Sequence, residues 1–331
     1  MASAPLVLCL GEALIDRLGP LGADPAVDPA RCDDRLGGAP GNVACALARL
    51  GTPSAFVGRL GRDAIGEDFR ALFAAGGVGT SALQWDAQRP TRIVLVRRDA
   101  TGDRQFGGFA GDRGAGFADQ ALDATALSAA LGPLLAAARW LLVGTIPLAS
   151  PAAASAVQCA VRQAAAAGVP LALDVNWRPT FWDPAADPSS GPSVAQIEAI
   201  APLLQQAALI KCAREEAEWL FGSSDPAVVS ASLPQRPGVV VSDGGAPVRW
   251  CLEGASGVLP AFSVPVVDTT GAGDAFTAGL LHGLVHNRSQ PVQDLLRFAS
   301  ACGALVCQGV GAIDPQPSAD AVGAFLANLT A

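Results

Sequence analysis

A segment near the C-terminus combines small residues with a carboxylate in a way that suits phosphate chemistry. Residues 266–276 read VVDTTGAGDAF, so apolar residues lead through Gly271, Ala272 and Gly273 to Asp274 at the start of a helical pattern. Small residues at such a turn let backbone N–H groups converge on an anion, and the helix dipole adds positive potential there. The turn predicts a site that holds phosphate oxygens and stabilises a transferring phosphoryl group.

Asp274 stands beside that anion site and could accept the proton of an attacking hydroxyl group. Aspartate in a first helical turn is also common for structural reasons, because its charge complements the helix dipole. The segment does not match the GxxxxGK[ST] loop. It does not match the GxGxxG dinucleotide motif either, since Phe276 stands where the third glycine belongs.

A second glycine-rich segment lies near the N-terminus. Residues 36–44 read LGGAPGNVA, with Gly37 and Gly38 leading into an alanine-rich helix that ends near Gly51. The glycines permit close approach of a ligand to the backbone, and Asn42 offers one acceptor and two donors to sugar hydroxyls. The same asparagine could instead cap the helix.

These two segments need a scaffold of strands and helices to position them. Short apolar runs predict buried strands at 5–10, 54–58, 140–144, 169–175, 208–210 and 239–242. Helical patterns alternate with them at 42–50, 66–75, 152–167, 194–206 and 215–221. Continuous apolar strands that alternate with helices predict an α/β fold, in which a mostly parallel central sheet carries helices on both faces.

Two stretches interrupt the alternation of strands and helices. Residues 16–36 are rich in Gly, Pro and Asp, and residues 90–109 predict two strands, 92–98 and 104–109, around a turn at 100–103. Both stretches predict a small sheet outside the main layer. No internal repeat or linker divides the chain, so we expect a single domain over residues 1–331.

The composition argues against several other classes of protein. The 331 residues are 50% hydrophobic and 16% charged, which allows a large core. A net charge of −8 without any block of Lys or Arg disfavours nucleic acid and anionic membranes as partners. The apolar run at 6–10 is too short for a signal peptide, and no run reaches the roughly 18 residues of a membrane span. We therefore expect a cytoplasmic protein.

Together, the two glycine-rich segments resemble those of the ribokinase-like (PfkB) carbohydrate kinases, and most closely the fructokinases. Six segments in the same order carry this resemblance over nearly the whole chain: 11–16 (GEALID), 37–51 (GGAPGNVACALARLG), 58–69 (GRLGRDAIGEDF), 174–182 (DVNWRPTFW), 210–222 (IKCAREEAEWLFG) and 268–276 (DTTGAGDAF). The resemblance implies a ribokinase-like fold and an enzyme that uses ATP and Mg²⁺. It further implies transfer of the γ-phosphate to a primary hydroxyl, with D-fructose giving fructose 6-phosphate.

The resemblance also implies roles for individual residues. Asp274 matches the catalytic base, beside an anion hole formed by Gly271, Ala272 and Gly273. The matching sugar-binding positions are Asp16, Gly37, Gly38 and Asn42. The matching nucleotide-binding positions are Lys211, Ser242, Gly244, Gly245, Thr270 and Gly303. For Lys211, an ordinary surface lysine is an equal alternative.

Two further positions concern the charge on the phosphates. Arg178 is the candidate cation near the transferring phosphate, with an ion pair to Asp174 or Asp183 as the structural alternative. Glu216 matches the acidic residue of the family's Asn-x-x-Glu motif, which supports Mg²⁺ indirectly. Ala213 occupies the Asn position of that motif, which puts the metal–water network at this point in doubt.

The resemblance implies a lid as well, formed by about residues 14–36 and 90–110, which closes over the sugar and excludes water. An exposed strand edge on this lid could pair with a second subunit, so a homodimer through the lid is a hypothesis. Some members of the family bind a monovalent cation such as K⁺ beside the anion hole. Whether Asp268 and Thr270 do so here stays open.

Three alternatives to a fructokinase remain. The acceptor could be another sugar or a nucleoside, such as ribose or 2-keto-3-deoxygluconate. The protein could be a catalytically inactive sugar-binding regulator. Asp274 and the Gly-Ala-Gly turn argue against this, whereas Ala213 leaves it open. A nicotinamide dehydrogenase is disfavoured, because Gly11-Glu12-Ala13 and not GxGxxG follows the first strand.

Overall fold

The main sheet of the protein contains nine strands, and a second sheet contains four. The structure is a computed structural model that describes residues 4–98, 104–287 and 289–329. Within these ranges the strands are β1 Val7–Leu10, β2 Leu14–Leu21, β3 Asp33–Gly37, β4 Ser54–Gly61, β5 Leu83–Asp86, β6 Ile93–Arg98, β7 Arg104–Ala110, β8 Trp140–Val143, β9 Leu171–Asp174, β10 Ala207–Ala213, β11 Gly238–Ser242, β12 Val248–Leu252 and β13 Ala255–Leu259. The α-helices are α1 Ala39–Arg49, α2 Ala64–Gly76, α3 Ala124–Leu135, α4 Pro151–Ala166, α5 Pro179–Trp182, α6 Val194–Leu204, α7 Arg214–Phe221, α8 Pro226–Ser232, α9 Ala272–His286, α10 Val292–Val306 and α11 Ala319–Asn328.

The nine strands of the main sheet lie in the order β13-β12-β11-β10-β9-β8-β1-β4-β5. From β11 to β5 neighbouring strands pair in parallel, while β12 and β13 add an antiparallel hairpin at one side. Parallel strands end on the same side of a sheet, so the loops that follow β1, β9, β10 and β11 meet there. We call this side the carboxyl edge.

Side chains of the central strands alternate between two hydrophobic cores. Val7 and Cys9 of β1 belong to the core that contains α1, α9 and α10, whereas Leu8 and Leu10 belong to the core that contains α3, α4 and α6. Both faces of the sheet are therefore covered, which explains why its strands read as continuous apolar runs. The predicted α/β fold, with a mostly parallel sheet and helices on both faces, is confirmed.

The second sheet has the strand order β3-β2-β6-β7. β2 pairs antiparallel with β3 and parallel with β6, and β6 pairs antiparallel with β7. The small extra sheet expected from residues 16–36 and 90–109 is confirmed, although the predicted turn at 100–103 lies outside the described residues. Ile15, Ile93 and Leu95 give this sheet a small apolar cluster of its own.

Several strands differ from the sequence-based expectation. The predicted strand at 208–210 is the middle of the longer β10, which continues through Lys211 to Ala213. Hydrogen bonds to β9 and β11 on both sides extend a central strand past its apolar residues. β5, β12 and β13 were not anticipated, because their buried residues are mixed with half-buried or exposed ones and do not form continuous apolar runs.

Candidate active site

The first turn of α9 is shaped by a glycine that no other residue could replace without strain. Gly271 precedes α9 with φ of +77°, and a Cβ atom placed on it would lie 2.6 Å from the Cα of Ala312. The backbone of this turn therefore packs directly against the chain near Ala312. The N–H groups that begin an α-helix have no acceptor within the helix, so those of Gly273 and Asp274 are available to a ligand. Gly273 itself is exposed.

Asp274 is held by an asparagine from a distant part of the chain. Asn42 Nδ2 on α1 donates to Asp274 Oδ2 at 2.7 Å. In the described part of the chain, this is the one hydrogen bond that the Asp274 carboxylate accepts. The other amide atom, Asn42 Oδ1, is buried without a partner among the described residues. The pair therefore presents two unused acceptor oxygens side by side.

The surroundings of Asp274 make it a stronger base than an ordinary aspartate. Desolvation, together with the nearby negative charge of Asp174, raises the pKa of Asp274 to about 6, against the opposing effects of Asn42, Lys211 and Arg178. A carboxylate with this pKa is ionised at neutral pH and is closer in basicity to a catalytic proton acceptor.

A buried cation lies directly behind the glycine turn. Lys211 Nζ on β10 lies 3.1 Å and 3.3 Å from the two carboxylate oxygens of Asp174. A Cβ atom on Gly273 would come within 3.2 Å of this ammonium group. Burial opposes the charged form of Lys211, but Asp174, Glu216 and Asp274 outweigh it and raise the pKa of the lysine. Lys211 is thus not an exposed surface lysine; it is a charged group beside the anion turn.

Arg178 begins α5 and is exposed at the carboxyl edge. Its guanidinium group donates to the backbone carbonyl of Trp177 at 3.1 Å. Within the described ranges it makes no ion pair with Asp174 or Asp183, because Asp174 is engaged by Lys211. The structural alternative considered for Arg178 is therefore not observed. Its charge is close enough to Asp274 to oppose the upward shift of that residue's pKa.

Glu216 joins two loops at the carboxyl edge. Its Oε1 accepts the N–H of Trp177 at 2.6 Å, and its Oε2 accepts the N–H of Ala213 at 2.7 Å. Because both oxygens are engaged, Glu216 fits a role in which Mg²⁺ is reached through water and not by direct ligation. Ala213 contributes only its backbone to this arrangement, so the methyl side chain does not disrupt the link.

The residues expected to bind sugar lie where the second sheet meets α1. A Cβ atom on Gly37 would lie 3.0 Å from Asp16 Oδ2, so the glycine lets that carboxylate approach the backbone. Gly38 has φ of +95°, and its Cβ would lie 2.8 Å from the carbonyl oxygen of Glu12. These two glycines bring Asp16 and the start of α1 together, one helical turn before Asn42.

The residues expected to contact the nucleotide lie at the end of β11, in the loop that follows it, on α10 and just before α9. Ser242 ends β11 beside Ala213, and Gly244 and Gly245 follow it in an exposed turn. Gly303 lies on α10, and a Cβ atom on it would come within 3.0 Å of the carbonyl oxygen of Ala272. The lack of a side chain at this position therefore allows α9 and α10 to pack closely. Thr270 donates through its amide and its hydroxyl to Asp268 Oδ1, at 3.0 Å and 2.7 Å.

Sequence reasoning gave no role to three residues that support this site. The Thr277 hydroxyl lies 2.8 Å from Asp174 Oδ2 and 3.0 Å from the carbonyl of Gly273. Gln316 donates to the carbonyls of Asn42 and Ala312. The position of Thr277, one turn after Asp274, is the sequence signal that could have revealed it. Glu12 is the third residue, and neither its spacing from Asp274 nor that of Gln316 offers a comparable sequence signal.

Comparison with known proteins identifies the family of this chain. A model of the pfkB family carbohydrate kinases matches residues 4–319 of the chain. The chain belongs to this family. The kinase is similar to probable fructokinase-7 of Arabidopsis thaliana, with 33% identity over 97% of this chain and 92% of the relative. It is also similar to fructokinase-2 of Zea mays, with 33% identity over 95% of this chain and 91% of the relative.

Solved structures support the same relationship. The kinase superposes on the crystal structure of a fructokinase with bound ATP from Xylella fastidiosa with a TM-score of 0.82, at 29% identity and with 98% and 99% of the two chains covered. It superposes on a fructokinase from Vibrio cholerae O395 in a form bound to fructose, ADP and calcium ion with a TM-score of 0.77, at 26% identity and with the same coverage. The predicted carbohydrate kinase and its ribokinase-like fold are confirmed.

Proposed function

We propose that this kinase transfers the γ-phosphoryl group of ATP to the primary hydroxyl of D-fructose, giving fructose 6-phosphate and ADP. The observation that carries the proposal is the Asp274–Asn42 pair beside the Gly271–Gly273 turn. Its two free acceptor oxygens suit the hydroxyl groups of a sugar, and the adjacent amides suit phosphate oxygens.

In the proposed reaction, Asp274 takes the proton of the attacking hydroxyl. The new bond joins that oxygen to the γ-phosphorus, and the bond from phosphorus to the oxygen that leaves with ADP breaks. Asn42 keeps Asp274 Oδ2 occupied, so that Oδ1 is left to accept the proton. The raised pKa of Asp274 brings its basicity closer to what this transfer requires.

The charge on the transferring group is stabilised from several sides. The amides of Gly273 and Asp274 and the partial positive charge of the α9 N-terminus face it, and Lys211 adds a full charge behind the turn. Arg178, which makes no competing ion pair in the described structure, adds a second cation from the solvent side. We assign the anion hole to Gly271, Ala272 and Gly273, with Thr270, Gly303 and the Ser242–Gly245 loop on the nucleotide side.

When bound, Mg²⁺ neutralises charge on the ATP phosphates. The residues at the carboxyl edge fit an ion that is held by phosphates and water. Asp174 is occupied by Lys211 and Thr277, and both oxygens of Glu216 accept backbone amides. A K⁺ site near Asp268 and Thr270 remains a prediction. Dependence of the rate on KCl against choline chloride would test it.

On the sugar side, Asp16, Gly37, Gly38 and Asn42 are the proposed contacts. We propose that the second sheet, with about residues 14–36 and 90–110, acts as a lid that excludes water from the reaction. In this proposal the lid and the α/β body form one domain. β3 and β7 lie at the sides of the second sheet, and either could pair with a second subunit. Sedimentation that shows only monomer would contradict the proposed homodimer.

Within the described ranges, no helix is both long and apolar enough to cross a membrane. The cytoplasmic location remains a prediction. One relative, probable fructokinase-6 of Arabidopsis thaliana, is named as chloroplastic.

A panel of acceptors tests the proposal directly. The purified protein is incubated with ATP and fructose, ribose, 2-keto-3-deoxygluconate or a nucleoside, and ADP release is coupled to a spectroscopic readout. Nuclear magnetic resonance then identifies the phosphorylated hydroxyl. Preference for another acceptor would replace fructose while keeping the mechanism. Absence of transfer to every acceptor would favour the inactive sugar-binding regulator.

A further inference from the structure

Glu12 is a buried carboxyl group that the proposed mechanism does not use. It follows β1 at the carboxyl edge, and only 3% of it is exposed. Its Oε1 accepts the N–H of Ala39, the first residue of α1, at 3.3 Å. Its Oε2 is buried and has no hydrogen-bond partner in the described part of the structure. A buried polar atom without a partner is costly, so it calls for a specific explanation.

The position of Glu12 relative to Asp274 is set by the first turn of α1. Ala39 contacts Glu12, and Asn42, three residues later, contacts Asp274. Residues three apart lie on the same side of a helix, about 4.5 Å apart along its axis. Asp274 is also close enough to Glu12 for its charge to raise the pKa of Glu12, so the two carboxyl groups are neighbours. Two hydroxyl groups of one hexose can span a separation of this size.

Glu12 also contributes to the walls of clefts at the carboxyl edge. It lines two narrow clefts, one shared with Arg59, Arg92 and Asp119, and the other with Asp174 and Asn176. Both arginines are engaged elsewhere, Arg92 with Asp119 and Arg59 with Asp86. In the described structure, neither of them forms an ion pair with Glu12.

The charges around Glu12 favour its neutral form. Burial, together with the negative charges of Asp119 and Asp274, raises its pKa to about 8, against the opposing effects of the backbone amides of Glu12 and Ala39. The titratable and charged groups that face Glu12 are Asp119, Asp274, Asp174, Arg59 and Arg92. At neutral pH the group is therefore mainly a carboxylic acid, which can donate a hydrogen bond.

We propose that Glu12 is a substrate-contact residue that donates a hydrogen bond to an oxygen of the bound sugar, next to the hydroxyl whose proton Asp274 takes. The inference rests on the proposed function, because it requires a sugar between the two residues. In this proposal Glu12 donates a hydrogen bond to the sugar, whereas the neighbouring Asp274 accepts a proton from it. It makes Glu12 a determinant of which polyols bind and not of how ATP binds.

The test compares Glu12→Gln, which keeps an oxygen and a donor, with Glu12→Met, which keeps only the size. In the unmutated protein we expect the KM for fructose to rise about tenfold from pH 7 to pH 9, because the donating form falls from most of the population to about a tenth. Glu12→Gln should keep a KM near the pH 7 value throughout. Glu12→Met should raise it about fivefold at every pH, with the KM for ATP unchanged.

Calorimetric binding of fructose at pH 7 and pH 9 gives the same comparison without turnover, and Glu215→Gln on the exposed side of α7 is the matched control. A KM for fructose that is flat to pH 9, or a Glu12→Met variant with unchanged sugar affinity, would overturn the role of Glu12 alone. Absence of phosphate transfer by the unmutated protein to any acceptor would overturn the proposed function and the inference with it.

Discussion

The two ends of α9 carry polar clusters of opposite character. At its first turn, Asp274 shares one hydrogen bond with Asn42, whose Oδ1 has no partner in the described residues. At its last turns, the Thr52 hydroxyl lies 2.7 Å from His282 Nδ1 and 3.1 Å from His286 Nε2. Donation from His286 to Thr52 and from Thr52 to His282 satisfies these atoms with protein groups alone.

The difference separates a site from a structural cluster on the same helix. Burial and the neighbouring His286 lower the pKa of His282 to about 4, so His282 stays neutral at neutral pH. Asp274, with a pKa raised to about 6, keeps a charge and an unused acceptor oxygen. Polar groups with unfilled hydrogen-bonding capacity point to a ligand, whereas groups with filled capacity hold the helix in place.

The strongest test removes the negative charge of Asp274 at the first turn of α9. Asp274→Asn should lower kcat by roughly 10²–10⁴-fold, because the proton acceptor is lost while the hydrogen bond to residue 42 can be kept. Steady-state kinetics and thermal unfolding are measured together. Asp320→Asn, an exposed aspartate in the first turn of α11, is the matched control and should leave kcat unchanged. Near-normal turnover in Asp274→Asn would contradict its role as base.

A second test displaces the backbone of the anion turn. Gly271→Ala places a Cβ 2.6 Å from the Cα of Ala312 and forces φ of +77° on a residue that disfavours it. We expect kcat/KM for ATP to fall about 10²-fold, the usual effect of losing one preorganised amide. Gly254→Ala, with φ of +80° but no atom near its Cβ, controls for strain alone. Equal kinetics in both variants would count against the anion hole.

The pH dependence of the reaction sharpens the same contrast. Because the reaction requires ionised Asp274, kcat/KM for fructose should fall about tenfold for each pH unit below about 6 and stay level from there to about pH 8, where the proposed titration of Glu12 begins. His282 should add no step to this limb, since its pKa is lowered to about 4. Rate profiles of the unmutated protein and Asp274→Asn check this. A profile of Asp274→Asn with the same limb would assign it to another group.

The hydrogen bonds of Thr52 at the last turns of α9 should affect stability and not activity. Thr52→Val removes the buried hydroxyl that both histidines contact, so we expect a loss of about 1–3 kcal/mol in the free energy of unfolding. The value of kcat should not change. Urea unfolding and kinetics provide the two measurements, with the exposed Thr125→Val as control. A lowered kcat in folded Thr52→Val would show that the two ends of α9 are coupled.

Much of the fold could be predicted because its signals are local. β1, β8 and β9 are buried on both faces, so they read as unbroken apolar runs, and the strands at 92–98 and 104–109 flank a turn-forming sequence. The hairpin of β12 and β13 was not predicted because its buried residues are mixed with exposed or half-buried ones, so it does not read as an unbroken apolar run, and its register depends on β11. Helix α9 was expected from the helical spacing of its apolar residues, but the contact of its last turns with Thr52 was not.

The candidate site likewise has features that the sequence predicts and contacts that it does not. The glycines with positive φ and the aspartate in the first turn of α9 are visible in the sequence, because backbone freedom and helix-terminal charge are properties of single residues. The hydrogen bond between Asn42 and Asp274 joins residues 232 positions apart, so the chain by itself could only suggest it by resemblance. Likewise, Arg178 could have paired with Asp174 until the fold brought Lys211 to that carboxylate.

The amino-acid sequence alone determined which chemical groups this kinase possesses and where its backbone could turn. Only the tertiary structure decided which hydrogen-bonding atoms would be used up by the protein and which, such as Asn42 Oδ1 and Glu12 Oε2, would remain unpaired. The reason is physical: each donor or acceptor is satisfied by whatever atom lies within about 3 Å of it, and that neighbour comes from distant parts of the chain.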